Sequence, residues 1–379
     1  MTQTVLLGEV VRIKGGKRLP KGEALQESPN SHPYLRIVDM GEKFIKKTNL
    51  QYVPNSVFPK ISRYITNTND VLLSIVGTIG LVAIVDDELD NASLTENCVK
   101  LTCDMKKIDP GFLYYFLTSS VGQDEIRAGR VGSTQPKLPL YNIAKIRVPN
   151  LILEEQKKIA DILGTIDEKI ELNRKMNETL EQVGQALFRH YFINNPDAER
   201  WKDGTLGDII INFDSRRKPL SSRQRAEIQG EYRYFGATSV MDHVNDYLFD
   251  GRYLLLAEDG SVIKSDGTPY LQYVWGKFWV NNHAHILQAK EPFTIEYLYL
   301  LLSQANVQSL VSGAVQLKIN QKAMNSLKLK LPPDELVRRF CNKIDPMFAQ
   351  WRNNNEESQA LTTVRDNLLP WLMSGKIKI

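Results

Sequence analysis

The stretch 154–191, EEQKKIADILGTIDEKIELNRKMNETLEQVGQALFRHY, decides the fold. Its apolar residues fall at Ile159, Ile162, Ile166, Ile170, Met176, Leu180, Val183, Leu187 and Tyr191, in steps of three and four broken only by Asn173. Residues at those steps share one stripe of a helix, and a stripe sustained this long is coiled-coil spacing. A later stretch has the same habit, at Leu336, Phe340, Ile344, Met347, Trp351, Asn354, Ser358, Leu361, Val364, Leu368 and Trp371. Each predicts a helix of about 38 residues, roughly 57 Å long at 1.5 Å per residue. Pro346 is expected to kink the second helix near its start.

Outward from the helices, what precedes each one also repeats. Leu7-Gly8-Glu9-Val10-Val11 returns as Leu206-Gly207-Asp208-Ile209-Ile210, each followed by a basic cluster: Lys14, Lys17 and Arg18, then Arg216, Arg217 and Lys218. Val71 to Ile84 reads as two strands about a Gly77-Thr78-Ile79-Gly80 turn, matched loosely by Tyr253 to Ile263 with Asp259-Gly260-Ser261 at its turn. Phe112 to Leu117 answers Glu296 to Leu301, both apolar, aromatic and of helical length after a proline. Gly132-Ser133-Thr134-Gln135-Pro136-Lys137 matches Gly313-Ala314-Val315-Gln316-Leu317-Lys318, and each leads into a short basic strand ending at Pro149 or Pro332. The expected architecture is α+β: two mixed α/β domains in a pseudo-twofold tandem repeat, joined by two long antiparallel coiled-coil helices. The expected boundaries are 1–150, 151–193, 194–333 and 334–379. Twofold symmetry inverts one helix on the other, so Asn173 should face Asn354, with Met176 near Trp351 and Leu180 near Met347. A buried polar pair in such a seam fixes register at some cost in stability.

Composition narrows the classes. With 379 residues, 42% hydrophobic and 24% charged, the chain is an ordinary folded protein of two or three domains. No apolar run approaches the roughly 18 residues that span a bilayer. The start, Met1 to Val11, has no secretory pattern, and three cysteines cannot frame a disulfide scaffold, so a cytoplasmic location is expected. Net charge is only +4, with the positive excess in the two long segments, 19 Lys/Arg against 15 Asp/Glu in 1–150 and 16 against 13 in 200–333. Charge alone argues weakly for nucleic acid, since phosphate neutralisation usually demands a more basic chain. The pseudo-twofold layout argues more strongly, because paired readers match duplex half-sites about 34 Å apart.

These residues resemble the specificity subunit of type I restriction-modification systems. The most specific stretches are Gly132 to Pro136 leading to Ile146-Arg147-Val148-Pro149, Glu155-Gln156-Lys157-Lys158-Ile159-Ala160, Ile166-Asp167-Glu168-Lys169-Ile170, and the tail Leu372-Met373-Ser374-Gly375-Lys376-Ile377. The second copy departs at Pro333-Asp334-Glu335-Leu336, which lacks the Gln after the Glu, and is richer in aromatics from Trp275 to His285. The resemblance implies a non-catalytic subunit whose two target-recognition domains each read half of a bipartite site on double-stranded DNA. Its helices would set the spacer and dock methyltransferase subunits, with motor and nuclease subunits joining them. No cofactor and no membrane are implied.

The residues agree with the absence of chemistry. Gly15-Gly16-Lys17-Arg18 lacks P-loop spacing, Gly77-Thr78-Ile79-Gly80 is not a dinucleotide fingerprint, and Asn195-Pro196-Asp197 lacks the second proline and aromatic of an adenine methyltransferase loop. The alternative is a diverged methyltransferase or nuclease acting alone. Asp104-Met105-Lys106 after Asp86 and Asp87 fits a nuclease pattern that recurs by chance, as in Glu155-Gln156-Lys157. His283 and His285, or Cys98 and Cys103, have no further zinc ligands at suitable spacing and read as structural. The expected DNA contacts are Lys14, Lys17, Arg18, Arg130, Gln135, Lys137, Arg216, Arg217, Lys218, Gln316 and Lys318. Arg can read guanine and Lys can hold phosphate. Gln135 and Gln316, present in both copies, suit backbone positioning, whereas Gln51 to Asn69 and Ser221 to Asp246 are expected to carry the sequence specificity.

Overall fold

The computed structural model describes residues 3–41, 43–313, 316–374, 376 and 377. Ala314, Val315 and Gly375 of the quoted motifs lie outside the described residues. The chain forms two compact units, residues 1–173 with 356–379, and residues 174–355. No helix among the described residues is long and apolar enough to cross a membrane.

In the first unit, Thr4–Leu6 pairs antiparallel with Arg147–Pro149, closing the domain's beginning on its end. A four-stranded antiparallel sheet follows in the order Val11–Gly15, Cys98–Cys103, Val71–Ser74, Val82–Ile84. A smaller mixed sheet sets Pro33–Leu35 parallel to Ser93–Leu94 and antiparallel to Gln51–Tyr52. The inner strand Val71–Ser74 is buried at all four positions, which is why it reads as a continuous apolar run and not an alternation. The helix Pro110–Thr118 packs on this core with Phe112, Leu113, Phe116 and Leu117 fully buried, and Asp109 caps it by accepting the Phe112 amide at 3.0 Å.

The second unit repeats the plan. Lys202–Thr205 pairs with Lys328–Leu331. The main sheet runs Ile210–Asn212, Ala284–Ala289, Tyr253–Ala257, Leu271–Val274, strand for strand the order of the first copy. Its second sheet again contains one parallel pair, Gln229–Phe235 with Lys277–Val280. The partner of Tyr253–Ala257 comes later than the sequence suggested: Leu271–Val274, and not the residues after Ser261, completes the pairing. The apolar helix is Ile295–Leu302, capped by Thr294.

The long helices span Leu153–Phe188, continued by a π-helical turn Arg189–Ile193, and Asp334–Met373. The second runs unbroken through Pro346. In the first unit their segments are antiparallel: Ile159 and Leu163 share a core with Leu368, Leu372 and Met373, while Arg365 binds Asp167 at 2.9 Å. In the second unit the same sense holds, with Phe188 against Phe340 at 5.7 Å and Asn177 bonded to Asn354.

Two details differ from the expected seam. The buried stripe of the first helix passes through Gln156, Ile159, Leu163, Asn173, Gly184 and Phe188, while Ile162, Met176 and Val183 are exposed. The stripe is thus turned by about one residue, or 100° of helix, along much of its length. Glutamine, asparagine and glycine on the buried face are invisible to an apolar count. The register also moves by one turn. Asn173 donates to Glu357 at 2.8 Å and Ser358 at 3.3 Å, and Asn354 donates to Asn177 at 2.8 Å. Each asparagine therefore meets polar partners three or four residues along from the one expected.

Candidate nucleic-acid interface

In the first unit, Lys14, Lys17 and Arg18 are exposed at the end of the strand Val11–Gly15 and just beyond it. The chain turns there because Gly16 runs against the neighbouring backbone: a Cβ would sit 2.0 Å from the Thr95 carbonyl oxygen. Arg18 binds Glu96 at 2.7 Å with its side chain 80% exposed, and the Lys17 ammonium lies 5.8 Å from the centre of the Tyr64 ring. Lys14, Arg63, Tyr64, Ile65, Leu94 and Lys100 line a cleft of about 270 Å3. Lys100 is committed to Asp70 at 3.0 Å, whereas Lys14 and Arg63 reach solvent at its rim. Arg63 and Tyr64 were not singled out from the sequence, although they lie inside the 51–69 segment expected to carry specificity.

The loop 131–137 is a closed turn. Val131 and Lys137 exchange both backbone hydrogen bonds, at 2.8 and 2.9 Å, and Leu138 donates to the Ile75 carbonyl at 3.0 Å. Gly132 takes φ of 87°, a left-handed value that favours glycine. Gln135 and Lys137 are exposed on it, and nearby Arg130 donates to the Ile79 carbonyl at 3.0 Å.

The second unit closes its loop identically. Ser312 and Lys318 exchange backbone bonds at 2.8 Å each, Gly313 takes φ of 93°, and Ile319 donates to the Glu258 carbonyl at 2.9 Å. Gln316 and Lys318 are exposed there. The basic cluster is less uniform. Lys218 is exposed, with its carbonyl receiving the Trp279 indole at 2.6 Å, and Arg216 lies over the Phe249 ring at 4.9 Å while donating to the Leu248 carbonyl.

Arg217 departs from the expectation of a surface contact. Its guanidinium, 15% exposed, is turned inward onto Glu258 at 2.6 Å and the carbonyls of Ala284, Asn282 and Asp214. Arg216 and Lys218 beside it suggest a uniform basic run, but Glu258, Asn282 and Ala284, which draw it in, lie 41 to 67 residues further along the chain.

Around Arg217 sits a partly buried ionic cluster, with His285 at its enclosed centre. His285 is held by Asp214 at 2.6 Å and by the Ile319 carbonyl at 2.8 Å, and Lys318 binds Glu258 at 3.2 Å. Burial pushes the Asp214 carboxyl up, but the hydrogen bond and charge of His285 and the Ile286 amide outweigh it and hold it below the usual range. Glu258 is likewise depressed, its burial outweighed by Arg217, His285 and Lys318. Asp214, Glu258 and His285 are close enough to share a metal ion. Cations already occupy both Glu258 oxygens, and both ring nitrogens of His285 are engaged, so the donor set fits an ion-pair network better than a metal. His283 turns instead to Asp259 at 2.6 Å. Cys98 and Cys103 are free thiols whose burial pushes each up to about 12.

A tandem of two α+β domains with one basic loop closed the same way in each copy is a repeated-module chain, each module followed by a long helix. The family model described as Type I restriction modification DNA specificity domain matches it twice, at residues 2–182 and 198–362, and the chain belongs to that family as a specificity subunit. It is 22% identical over 376 residues to the type I restriction enzyme MjaIX specificity subunit of Methanocaldococcus jannaschii, covering 90% of this chain and 83% of the relative. It is 22% identical over 455 residues to the HindI specificity subunit of Haemophilus influenzae, covering 92% and 95%. The crystal structure of a type I restriction-modification system S subunit from M. genitalium shares its fold, with a TM-score of 0.62, 19% identity, and coverage of 98% and 95%.

Proposed function

We propose that this chain is the non-catalytic subunit that gives a type I restriction-modification complex its DNA sequence specificity. Residues 1–150 and 194–333 act as target-recognition domains, each reading one half of a bipartite site on double-stranded DNA. Residues 151–193 and 334–379 act as the spacer. The observation that carries this is the loop built twice, with Gln135 and Lys137 on one copy and Gln316 and Lys318 on the other. Lys14, Lys17, Arg18, Arg63 and Arg130 extend the basic surface of the first domain, and Arg216 and Lys218 that of the second. Phosphate contact by lysines supplies affinity, and arginine or stacked aromatic side chains add base readout.

The methyltransferase subunits dock on the long helices, where Ile162, Leu172, Val364 and Trp371 in the first unit and Met176 and Val183 in the second leave apolar surface exposed. Motor and nuclease subunits join that core in the cytoplasm. Asn173 and Asn354 hold the helix register, since each is buried and bonded to the opposite helix. Footprinting with and without methyltransferase subunits tests the assignment. The complex should protect two separated half-sites, and Lys17→Glu should weaken binding to every sequence while lowering the salt slope by about one unit. Unchanged affinity for Lys17→Glu, or tight specific binding by the chain alone, would contradict it.

A further inference from the structure

Among the described residues, the ionic cluster of the second unit has no counterpart in the first, although the backbone around it is the same. Glu258 receives the Ile319 amide at 2.9 Å and donates its own amide to the His283 carbonyl at 2.9 Å. Ile75 does both at the matching place, receiving Leu138 at 3.0 Å and donating to Asn97 at 2.8 Å. Ile75 is an apolar, buried side chain, and the strand opposite it carries buried Val99 where the second unit carries His285. The loop therefore closes without ions, so closure alone does not require Asp214, Arg217, Glu258 and His285. Removing such charges from water is costly, and their retention needs another reason.

What the ions add is a hold on the side chain and base of the loop. Glu258 bridges Arg217, at 2.6 Å through one oxygen, to Lys318, at 3.2 Å through the other. His285 bridges Asp214 to the Ile319 carbonyl, next to Lys318 in sequence. Arg217 is pinned in turn by three carbonyls, a fork that a lysine cannot reproduce. Lys318 thus leaves the loop in a set direction with its ammonium half exposed, whereas Lys137 has only its backbone fixed by the loop.

We propose that Asp214, Arg217, Glu258 and His285 form a positioning device for the 312–318 loop, through which Arg217 governs how the second domain reads its half-site without touching DNA. This rests on the DNA-reading role proposed above. Arg217 and Glu258 are positioning residues, and Lys318 is the contact they aim.

The test uses the complex assembled with its methyltransferase subunits, comparing Arg217→Met, Arg217→Lys, Glu258→Gln and Lys318→Met. Affinity is measured against salt on duplexes carrying the cognate site or a change in either half. Lys318→Met should lower the salt slope by about one unit. Arg217→Met should leave the slope unchanged and reduce discrimination at one half-site about tenfold, with the other half-site untouched and Arg217→Lys restoring only part. A slope lowered by a full unit in Arg217→Met would make Arg217 a phosphate contact and overturn the proposal, as would undiminished discrimination. Amide exchange on the free chain gives a readout independent of DNA. Glu258→Gln, close in size to the native residue, should speed exchange at Ser312, Lys318 and Ile319, and unchanged exchange would overturn the cluster's role. If the native complex discriminated no bipartite site, the DNA-reading role would fail while the exchange result still judged the cluster.

Discussion

Asn354 donates its side-chain amide to the Asn177 carbonyl oxygen at 2.8 Å across the helix seam of the second unit. Asn354 is 2% exposed and also accepts from Gln350 at 2.7 Å. Two asparagines facing one another in a seam favour the alignment that joins them, since a slip of the helices breaks their mutual hydrogen bond and leaves each buried amide to be satisfied again. Replacing Asn354 by Leu should leave Asn177 short of a partner and cost about 1–3 kcal/mol. The double replacement of Asn177 and Asn354 by Leu should recover most of that loss while weakening the alignment. Denaturant unfolding of the single and double variants measures the difference, and equal losses that simply add would contradict the pairing.

Glu296 is fully buried on the helix Ile295–Leu302, and one of its oxygens receives Arg252 at 2.8 Å, Arg352 at 3.2 Å and the Tyr273 hydroxyl at 2.7 Å. Arg352 lies on the second long helix, so this acid ties that helix to the second domain's core. Glu296→Ala leaves Arg352, 17% exposed, without its carboxylate and should destabilise the second unit by about 3–5 kcal/mol. A loss below about 1 kcal/mol in urea unfolding would show that the node holds nothing.

Acid should act on the second unit through Asp214 and Glu258. Both are depressed below their unfolded values, so their stabilisation is complete above the ordinary carboxylate range near pH 4 and is lost as pH falls through the folded values. Asp345, raised by its own burial and by the charge of Glu296, works in the opposite sense and is relieved on protonation. The melting temperature should therefore fall between about pH 5 and pH 3, and Glu258→Gln should flatten that fall. An acid limb equally steep in the variant would contradict the assignment.

The three thiols should be inert in the folded chain. Burial pushes Cys98 and Cys103 up to about 12 and Cys341 up to about 11, leaving almost no thiolate near neutrality. Alkylation at pH 8 counted by mass should show no label on the native protein and three on the unfolded one. A native thiol labelled within minutes would contradict the burial.

The repeat and the long helices were legible because they depend on local spacing and on short motifs that recur in order. The seam's phase was not. Steps of three and four fit two neighbouring stripes equally well, and the buried one is marked by Gln156, Asn173 and Gly184, whose side chains carry no apolar signal. Sheet order was beyond reach for a different reason, since Cys98–Cys103 reaches Val11–Gly15 across most of the first domain. The same distance hid Glu258 and Ala284 from Arg217, so a basic run that looked uniform proved to hold two exposed cations and one turned inward. The cleft beside Lys14 was half legible: the segment holding Arg63 and Tyr64 was marked, but not those residues.

Mapping modified bases on DNA treated with the methyltransferase subunits, with and without this chain, tests the central claim most directly. The account predicts modification at one bipartite sequence only when the chain is present, and a change in a single half of that sequence when the 51–69 or the 221–246 segment is exchanged for that of a relative. Modification at the same sites without the chain, or methyl transfer by the chain alone, would contradict it.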